Sequence, residues 1–259
     1  MLSLSKVCKS FPECVSPVLK EIDFSVEEGE FCIIIGSNGS GKSTLLKTIS
    51  GVHSCDSGTI ILDGEDITNK SLYQRSHLVS TVTQDISLAA LTDMNVLENM
   101  TLSLLRGQKT RLKFYERHAY SIEKNLKELG LGYEKYLHLP LGSLSGGQRQ
   151  VIACRMALSS NPKILLLDEH TSALDSKTER LVMEHMAQTI EKQKITTLMV
   201  THNLQEALRY GTRLLIMNQG EFVYDIKGND KKKLTLKKLE NLFYQAETAY
   251  LENKEPKKL

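Results

Sequence analysis

A glycine-rich stretch at residues 36–44 constrains this chain more than any other feature of its sequence. Its letters, GSNGSGKST, fit the pattern G-x-x-x-x-G-K-[ST]. The apolar run Phe31–Ile35 precedes it as a buried strand would, and a helical pattern follows at 44–49. Such a strand–turn–helix unit directs several backbone N–H groups, and the positive end of a helix dipole, at one point. We call residues 36–44 the phosphate loop, and it predicts binding of a nucleoside triphosphate.

The residue types in the phosphate loop suit contact with phosphate groups. Gly39 and Gly41 let the backbone approach the phosphates without a Cβ in the way. Lys42 can reach the β- and γ-phosphates, and the Ser43 hydroxyl can ligate Mg²⁺. The predicted nucleotide-binding residues of the loop are Ser37, Asn38, Gly39, Ser40, Gly41, Lys42, Ser43 and Thr44.

Composition narrows the class of protein. The chain has 259 residues, 41% hydrophobic and 25% charged, which is ordinary for a globular protein with one substantial core. No run approaches the ~20 apolar residues that a membrane-spanning helix needs, and we expect no secretory signal. A net charge of +2 argues against nucleic-acid binding. The five cysteines are scattered and form no C-x-x-C pair, which favours reduced thiols in a cytosolic protein over disulfides or a zinc site.

Hydrophobic periodicity predicts two kinds of structure around the phosphate loop. Alternating or short apolar strands at 2–7, 22–26 and 58–64 predict a small antiparallel β-layer. From residue 84 to about 144 the spacing becomes helical, which predicts a helical subdomain inserted into an α/β core. The basic run at 109–117 is short and holds few aromatics, so it favours a solvated helix face over a nucleic-acid patch.

Chemically distinctive residues follow at predicted strand ends and helix starts. The sequence LSGGQ at 144–148 opens a helix, and Asp168 and Glu169 end a continuous apolar strand. His202 ends the next strand, and Asn203 can cap the helix after it. Ser176, three residues before a glutamate, predicts a capping box.

Together with the phosphate loop, these motifs resemble the ATP-binding-cassette (ABC) transporter ATPases. The resemblance covers the chain from residue 2 to about 222 and rests on LSGGQ, Asp168, Glu169 and His202 in the family's order. It implies an α/β fold: a P-loop NTPase (RecA-like) core with a mostly parallel sheet, a small antiparallel β-layer and an inserted α-helical subdomain. The implied limits are an ATPase domain at 1–228, with the insert at about 86–158, and a helical tail at 229–259.

The resemblance also implies catalytic roles. Glu169 would be the general base that polarises the attacking water, and His202 would hydrogen-bond the γ-phosphate region. Gln84 resembles the glutamine that senses Mg²⁺ and water, so Mg²⁺ would be held by Ser43, Gln84 and Asp168.

Phe11 matches the aromatic residue that stacks on adenine in the family, which is usually tyrosine. A plain core or loop phenylalanine is the alternative.

A head-to-tail dimer is implied by the signature. Ser145, Gly146, Gly147 and Gln148 form a second helix start suited to phosphate, which in the family binds the nucleotide of the partner subunit. Two ATPs would then lie between two copies, or between this chain and a paralogous ATPase subunit. Asp175 resembles the D-loop residue that crosses this interface.

The implied function is ATP hydrolysis by one subunit of a multi-subunit membrane transporter, most simply a bacterial importer of a small solute. Its cofactors would be ATP and Mg²⁺, and its partners integral-membrane permease subunits and an extracytoplasmic solute-binding protein, without nucleic acid. The chain would be a peripheral protein on the cytoplasmic face of the cell membrane, soluble when isolated. The alternatives are an ATPase for lipid or lipoprotein extraction, or for signalling through a membrane partner, and a soluble non-transport cassette protein.

Two departures from the family pattern bear on the cargo. His170 follows the glutamate where proline is usual, adding a titratable group beside the base, and Asn203 replaces a more usual aspartate. With these two residues the motifs resemble those of a subset of stand-alone importer ATPases. Some members of that subset are associated with uptake of amino acids, aromatic ones among them.

Two apolar segments leave alternatives open. Residues 85–91, continued by Met94, Val96, Leu97 and Met100, predict a groove for a cytoplasmic helix of the membrane subunit. The alternative is that Met94 and Leu97 fill the core of the insert. The lysine-rich tail carries an apolar stripe at 236–246, which favours a helix docked on the core over a membrane-surface helix.

Overall fold

The computed structural model describes residues 1–83, 90–107, 115–171 and 174–254, and for 249–254 the backbone alone. The chain divides into two compact units, called here the first unit (Met1–Tyr73 with Thr196–Leu259) and the second unit (Gln74–Ile195). The domain limits 1–228, about 86–158 and 229–259 stay predictions.

Strands and helices are numbered along the chain. The strands of the described residues are β1 (Leu2–Lys9), β2 (Leu19–Val26), β3 (Phe31–Ile35), β4 (Ser57–Leu62), β5 (Glu65–Asp66), β6 (Val79–Val82), β7 (Ile164–Asp168), β8 (Thr196–Val200), β9 (Arg213–Asn218) and β10 (Glu221–Lys227). Their helices are α1 (Lys42–Ser50), α2 (Leu72–Arg75), α3 (Val96–Leu104), α4 (Ala119–Lys127), α5 (Gly146–Ser159), α6 (Ser176–Gln193), α7 (Leu204–Arg209), α8 (Gly228–Lys232) and α9 (Leu236–Lys254). None of these helices is both long enough and apolar enough to span a bilayer.

The first unit holds an antiparallel sheet and a group of mostly parallel strands. In the antiparallel sheet β1 lies between β2 and β4, and buried Leu4 faces buried Phe24 on one side and buried Ile60 on the other. In the second group, in the order β10-β9-β3-β8, β3 is parallel to both its neighbours and β9 forms a hairpin with β10. The predicted antiparallel layer and terminal hairpin are confirmed.

The strand before the phosphate loop is buried at every position. All five residues of Phe31–Ile35 are buried, as expected for a parallel strand covered on both faces. The helix after the loop turns Leu45, Leu46 and Ile49 into the core. The phosphate loop is therefore held at both ends by apolar packing, which fixes its position.

The second unit combines helices with a short parallel strand pair. Strand β6 pairs with β7, with Val79 opposite Ile164 and Val82 opposite Leu167. Helix α3 packs against α5 and α4, and further single turns of 3₁₀ helix link these elements. The predicted change to helical structure after β6 is confirmed for the described residues.

The apolar residues of α3 fill the core of the second unit. Val96, Leu97 and Met100 are each at most 1% exposed. The prediction that they contribute to a partner groove is therefore wrong, because none of them presents surface, and the core alternative is confirmed for Leu97. Met94 is half-buried and Leu91 is 55% exposed. Residues 85–89 of the predicted groove lie outside the described residues.

The start of α6 differs from its prediction. The capping box of Ser176 and Glu179 is wrong, because Asp175 is the N-cap and Ser176 is already helical. The Asp175 Oδ1 accepts hydrogen bonds from the backbone N–H groups of Lys177 and Thr178, each at 3.1 Å. Aspartate caps as well as serine does, and the extended backbone of Asp175 (φ −69°, ψ 153°) suits that position.

The C-terminal helix docks on the first unit. Helix α9 packs against α7 and β9, and its Leu239 and Ala246 are buried. The Asn218 Nδ2 donates a hydrogen bond of 2.7 Å to the carbonyl oxygen of Ala246. The docked-helix alternative for the tail is confirmed.

Candidate nucleotide site

The ammonium group of Lys42 lies inside the phosphate loop. Lys42 is 7% exposed, and its Nζ donates hydrogen bonds of 2.8 Å to the carbonyl oxygens of Gly36 and Ser37. Nζ is also 3.5 Å from the Ser40 Oγ. Because Lys42 is the first residue of α1, its charge adds to the positive end of the helix dipole. The loop thus concentrates positive potential where a phosphate would be held.

Two glycines of the loop are required by close approach. A Cβ at Gly36 would lie 2.2 Å from the carbonyl oxygen of Met217 and 2.7 Å from the Ser40 Oγ. Gly41 caps α1 with a φ of 104°, and a Cβ there would lie 2.8 Å from the carbonyl oxygen of Val18. Both contacts involve backbone that cannot shift cheaply, so the loop keeps its shape with glycine at these positions.

A cavity of about 330 Å³ lies beside the loop in the first unit. It is lined by residues 37–40 of the loop, by 14–18 with Lys20, and by Asn218 with Gln219. The turn between β9 and β10 is tied to the loop, since the Gly220 N–H donates to the Ser40 carbonyl oxygen at 2.9 Å. Sequence reasoning missed the contribution of 14–20 and 218–219, because their pattern marked only a loop and a hairpin turn. The cavity places polar groups next to the predicted phosphate position.

Phe11 lies in the loop that supplies one wall of this cavity. Its ring meets the His53 ring edge-on, with centroids 5.1 Å apart, and the Lys9 Nζ lies 5.4 Å from its centroid. Its carbonyl oxygen accepts a hydrogen bond from the Cys14 N–H at 2.9 Å. Phe11 is half-buried, so part of its side chain stays accessible. Stacking of Phe11 on adenine stays a prediction.

His202 lies next to the start of the phosphate loop. Strands β3 and β8 are parallel, with Ile34 opposite Val200, so His202 and Gly36 each stand two residues beyond a paired position. The His202 side chain is exposed. The following Asn203 caps α7, its Oδ1 accepting from the N–H groups of Gln205 and Glu206, which confirms the predicted cap. Two sequence-predicted elements thus meet at one sheet edge.

The acidic pair ends β7 in the second unit. Asp168 is the last residue of the strand and half-buried, and Glu169 follows with a φ of 46°. A non-glycine residue in the left-handed region is uncommon and occurs often where function imposes strain. The parallel register of β6 and β7 sets Val82 opposite Leu167. Gln84, the predicted glutamine at the end of β6, lies outside the described residues.

His170 does not act as a second titratable group beside Glu169 near neutral pH. The imidazole is 1% exposed, and its burial lowers the pKa of His170 to about 4. Its Nε2 lies 3.1 Å from the Met183 Sδ on α6, and among the described residues Nδ1 has no hydrogen-bond partner. The neutral ring therefore packs the end of β7 against α6.

The signature forms the start of α5 as predicted. Ser145 is the N-cap, and it forms a capping box with Gln148: the Gln148 N–H donates to Ser145 Oγ at 3.3 Å, and the Ser145 N–H donates to Gln148 Oε1 at 2.9 Å. Ser145 is exposed, Gly146 and Gly147 are half-buried, and no described atom lies within 4 Å of a Cβ built on Gly146. This helix start is open to a ligand.

Asp175 is exposed at the start of α6 in the same unit. Hydrogen bonds from Thr178 hold the pKa of Asp175 below its ordinary value. The carboxylate is therefore charged near neutral pH, and its Oδ1 is engaged in capping α6. A role across a dimer interface stays a prediction.

Comparison with known proteins agrees with this geometry. A family model described as ABC transporter matches residues 19–172, more than half of the chain. A tyrosine transport ATP-binding protein of Clostridioides difficile (strain R20291) is 44% identical over 250 residues, which cover 95% of this chain and 100% of that protein. A dimeric, post-hydrolysis ATP-binding cassette bound to ADP and Pi superposes with a TM-score of 0.77 at 31% identity, covering 88% of this chain and 98% of the other. A nucleotide-free cassette from an ABC transporter gives a TM-score of 0.75 at 26% identity, covering 95% and 98%. The chain therefore belongs to the ABC transporter family and is an ATPase with that family's P-loop cassette fold.

Proposed function

We propose that this chain is the ATP-hydrolysing subunit of a bacterial ABC importer for tyrosine or a closely similar amino acid. The observation that carries the proposal is the identity of 44% to a tyrosine transport ATP-binding protein over that protein's whole length. Three features described above support ATP hydrolysis by this chain: a phosphate loop around Lys42, an acidic pair at the end of β7, and an accessible helix start at the signature.

The phosphate loop, His202 and Glu169 would each have a different role in ATP hydrolysis. Lys42 and the loop backbone would hold the β- and γ-phosphates, and His202 would hydrogen-bond the γ-phosphate region. Glu169 would accept a proton from the attacking water as general base. The left-handed backbone of Glu169 turns its side chain away from the direction that it would take in a continuing strand. This supports a catalytic role for the side chain rather than a packing role.

The chemistry of two residues, each taken in its own unit, suits the proposed cofactor Mg²⁺. The exposed Ser43 hydroxyl in the first turn of α1 and the half-buried Asp168 carboxylate are oxygen ligands of the kind Mg²⁺ prefers. Within the described ranges no cluster of three or more His, Cys, Asp or Glu could hold a metal by itself. Mg²⁺ would be held together with the nucleotide's phosphate oxygens, whose charge it would neutralise. Gln84 is the third proposed ligand.

Two copies would close around two ATPs. The open start of α5 at Ser145 and Gly146 suits a phosphate of a nucleotide held by a second subunit, since helix N-termini attract anions. The dimeric state of the similar cassette bound to ADP and Pi supports the formation of a dimer. A paralogous ATPase subunit could take the place of the second copy.

The remaining partners would be membrane subunits and a solute-binding protein. The permease subunits would place this chain at the cytoplasmic face of the membrane as a peripheral protein. A solute-binding protein on the other side of the membrane would present the amino acid to the permease.

Uptake of labelled tyrosine tests this proposal. In cells of the source organism from which the chain's gene is deleted, wild-type chain should restore uptake, whereas the Glu169→Gln variant at equal abundance should not. Labelled lysine serves as the cargo control. Tyrosine uptake that is unaffected by the deletion would overturn the assigned cargo, and restoration by Glu169→Gln would overturn the coupling of hydrolysis to transport.

A further inference from the structure

A buried lysine in the C-terminal segment is bonded to three backbone carbonyls. Lys231, on α8, is 6% exposed, while the neighbouring Lys232 and Lys233 are exposed. Its Nζ donates hydrogen bonds to the carbonyl oxygens of Tyr210 at 2.6 Å and Gly211 at 2.9 Å, with a longer one of 3.3 Å to Leu208. Burial lowers the pKa of Lys231, and three acceptors offset the cost of its charge.

The three carbonyls lie at the end of the helix that follows His202: Leu208 is in its last turn, Tyr210 is its C-cap and Gly211 is the next residue. Helix α7 spans Leu204–Arg209, with Asn203 as its N-cap and Tyr210 as its C-cap. The last carbonyls of a helix have no partner within it, and a cation there satisfies them and interacts favourably with the helix dipole. A helix of one to two turns is not stable by itself, so the contacts at its two ends determine where it lies.

The same C-terminal segment also reaches the turn beside the phosphate loop. Helix α9 packs against α7, and the carbonyl oxygen of Ala246 accepts a hydrogen bond of 2.7 Å from the Asn218 side chain. Asn218 lines the cavity next to the loop. Helices α8 and α9 therefore hold α7 on one side and the β9–β10 turn on the other, all within the first unit.

We propose that Lys231 is a positioning residue for His202: by holding the carboxyl end of α7, it fixes the helix whose other end carries the histidine. The inference rests on the proposed function, because it takes His202 to act in hydrolysis. At about 1.5 Å per residue, the six residues of α7 separate the two ends by about 9 Å, so a rotation at one end displaces the other. A misplacement of about 1 Å at a reacting group costs up to about 100-fold in rate.

The test compares Lys231→Met with Lys232→Met in the full-length chain. Methionine keeps the length of the buried stem and removes the donors, and the exposed Lys232 on the same helix is the matched control. We expect Lys231→Met to lower the kcat of ATP hydrolysis by about 10-fold or more, with the KM for ATP close to that of wild type. Lys232→Met should match wild type in both constants.

A double variant separates positioning from general destabilisation. If Lys231 acts through His202, adding Lys231→Met to His202→Ala should not lower the rate constant of hydrolysis further in single-turnover assays with labelled ATP. If Lys231→Met lowers the rate as much in the His202→Ala variant as it does in the wild type, the inference is overturned. An equal kcat for Lys231→Met and Lys232→Met would also overturn it.

If Lys231→Met does not fold, Lys231→Gln, which keeps a shorter donor, is compared in the same way. A lowered kcat at unchanged KM supports the inference, and an unchanged kcat overturns it. Full activity of His202→Ala alone would instead overturn the role of His202, and with it the proposed hydrolytic site.

Discussion

Replacing Glu169 by glutamine is expected to lower the rate of ATP hydrolysis by roughly 10²–10⁴-fold, the contribution attributed to a general base. Glutamine keeps the size and shape of the side chain but cannot accept the proton of the attacking water. ATP binding should remain, because the phosphate loop belongs to another part of the chain. The ATP-bound dimer should therefore accumulate instead of turning over.

The matched control for this variant is Glu191→Gln, an exposed glutamate of α6. Hydrolysis is followed as phosphate release, and the dimer by light scattering after size-exclusion chromatography with ATP. The control should hydrolyse ATP like wild type. Turnover by Glu169→Gln within a few-fold of wild type, without an ATP-held dimer, would show that Glu169 is not the base.

The second large effect is expected from Lys42→Ala. The change removes the cation that would contact the phosphates, and it also removes the hydrogen bonds from Lys42 to the carbonyl oxygens of Gly36 and Ser37. A hydrogen bond from a charged group contributes about 1.5–3 kcal/mol, so ATP affinity should fall by roughly 10- to 100-fold. Hydrolysis should fall at least as far, because the same cation would stabilise the charge of the transferred phosphoryl group.

Lys47→Ala is the matched control, since Lys47 is an exposed lysine in the last turn of the same helix. Isothermal titration with ATP measures affinity, and thermal melting by circular dichroism reports whether each variant is folded. Wild-type ATP affinity in a folded Lys42→Ala chain would contradict the assignment of the phosphate loop.

The sequence predicted best those features that depend on neighbouring residues. The phosphate loop, the buried strand Phe31–Ile35 and the start of α5 at LSGGQ each combine a local pattern with a backbone requirement. Gly41, at a φ of 104°, shows why the pattern is strict, because a side chain there would strain the backbone and meet Val18. The cap at Asn203 follows the same local logic.

Tertiary packing decided what the sequence could not. Leu97 and Met100 have the spacing of any apolar helix face, and only the packing of α3 on α5 shows that this face is core. The cavity walls at 14–18 and at Asn218 are distant along the chain, so no local pattern joins them to the phosphate loop. At α6, Asp175 and Ser176 are adjacent residues of similar capping strength, and backbone geometry selected the first.

The central claim, that ATP is held by the phosphate loop of one subunit and the signature of another, is tested most directly by mixing two inactive variants. Ser145→Arg places a bulky cation where the phosphate would bind at the start of α5, and Lys42→Ala disables the loop. Each homodimer should be inactive in hydrolysis and should retain little ATP. Ser143→Arg, at an exposed serine just before the signature, should remain active as the control.

A heterodimer of the two variants contains one intact composite site and one site broken on both sides. In an equal mixture about half of the dimers are mixed, so up to about a quarter of the wild-type sites should be restored. With differently tagged chains that also carry Glu169→Gln to prevent turnover, purified as heterodimers, the measurement is the amount of ATP retained per dimer, and one ATP is predicted. Retention no greater than that of the two homodimers, in a verified heterodimer, would contradict the shared site.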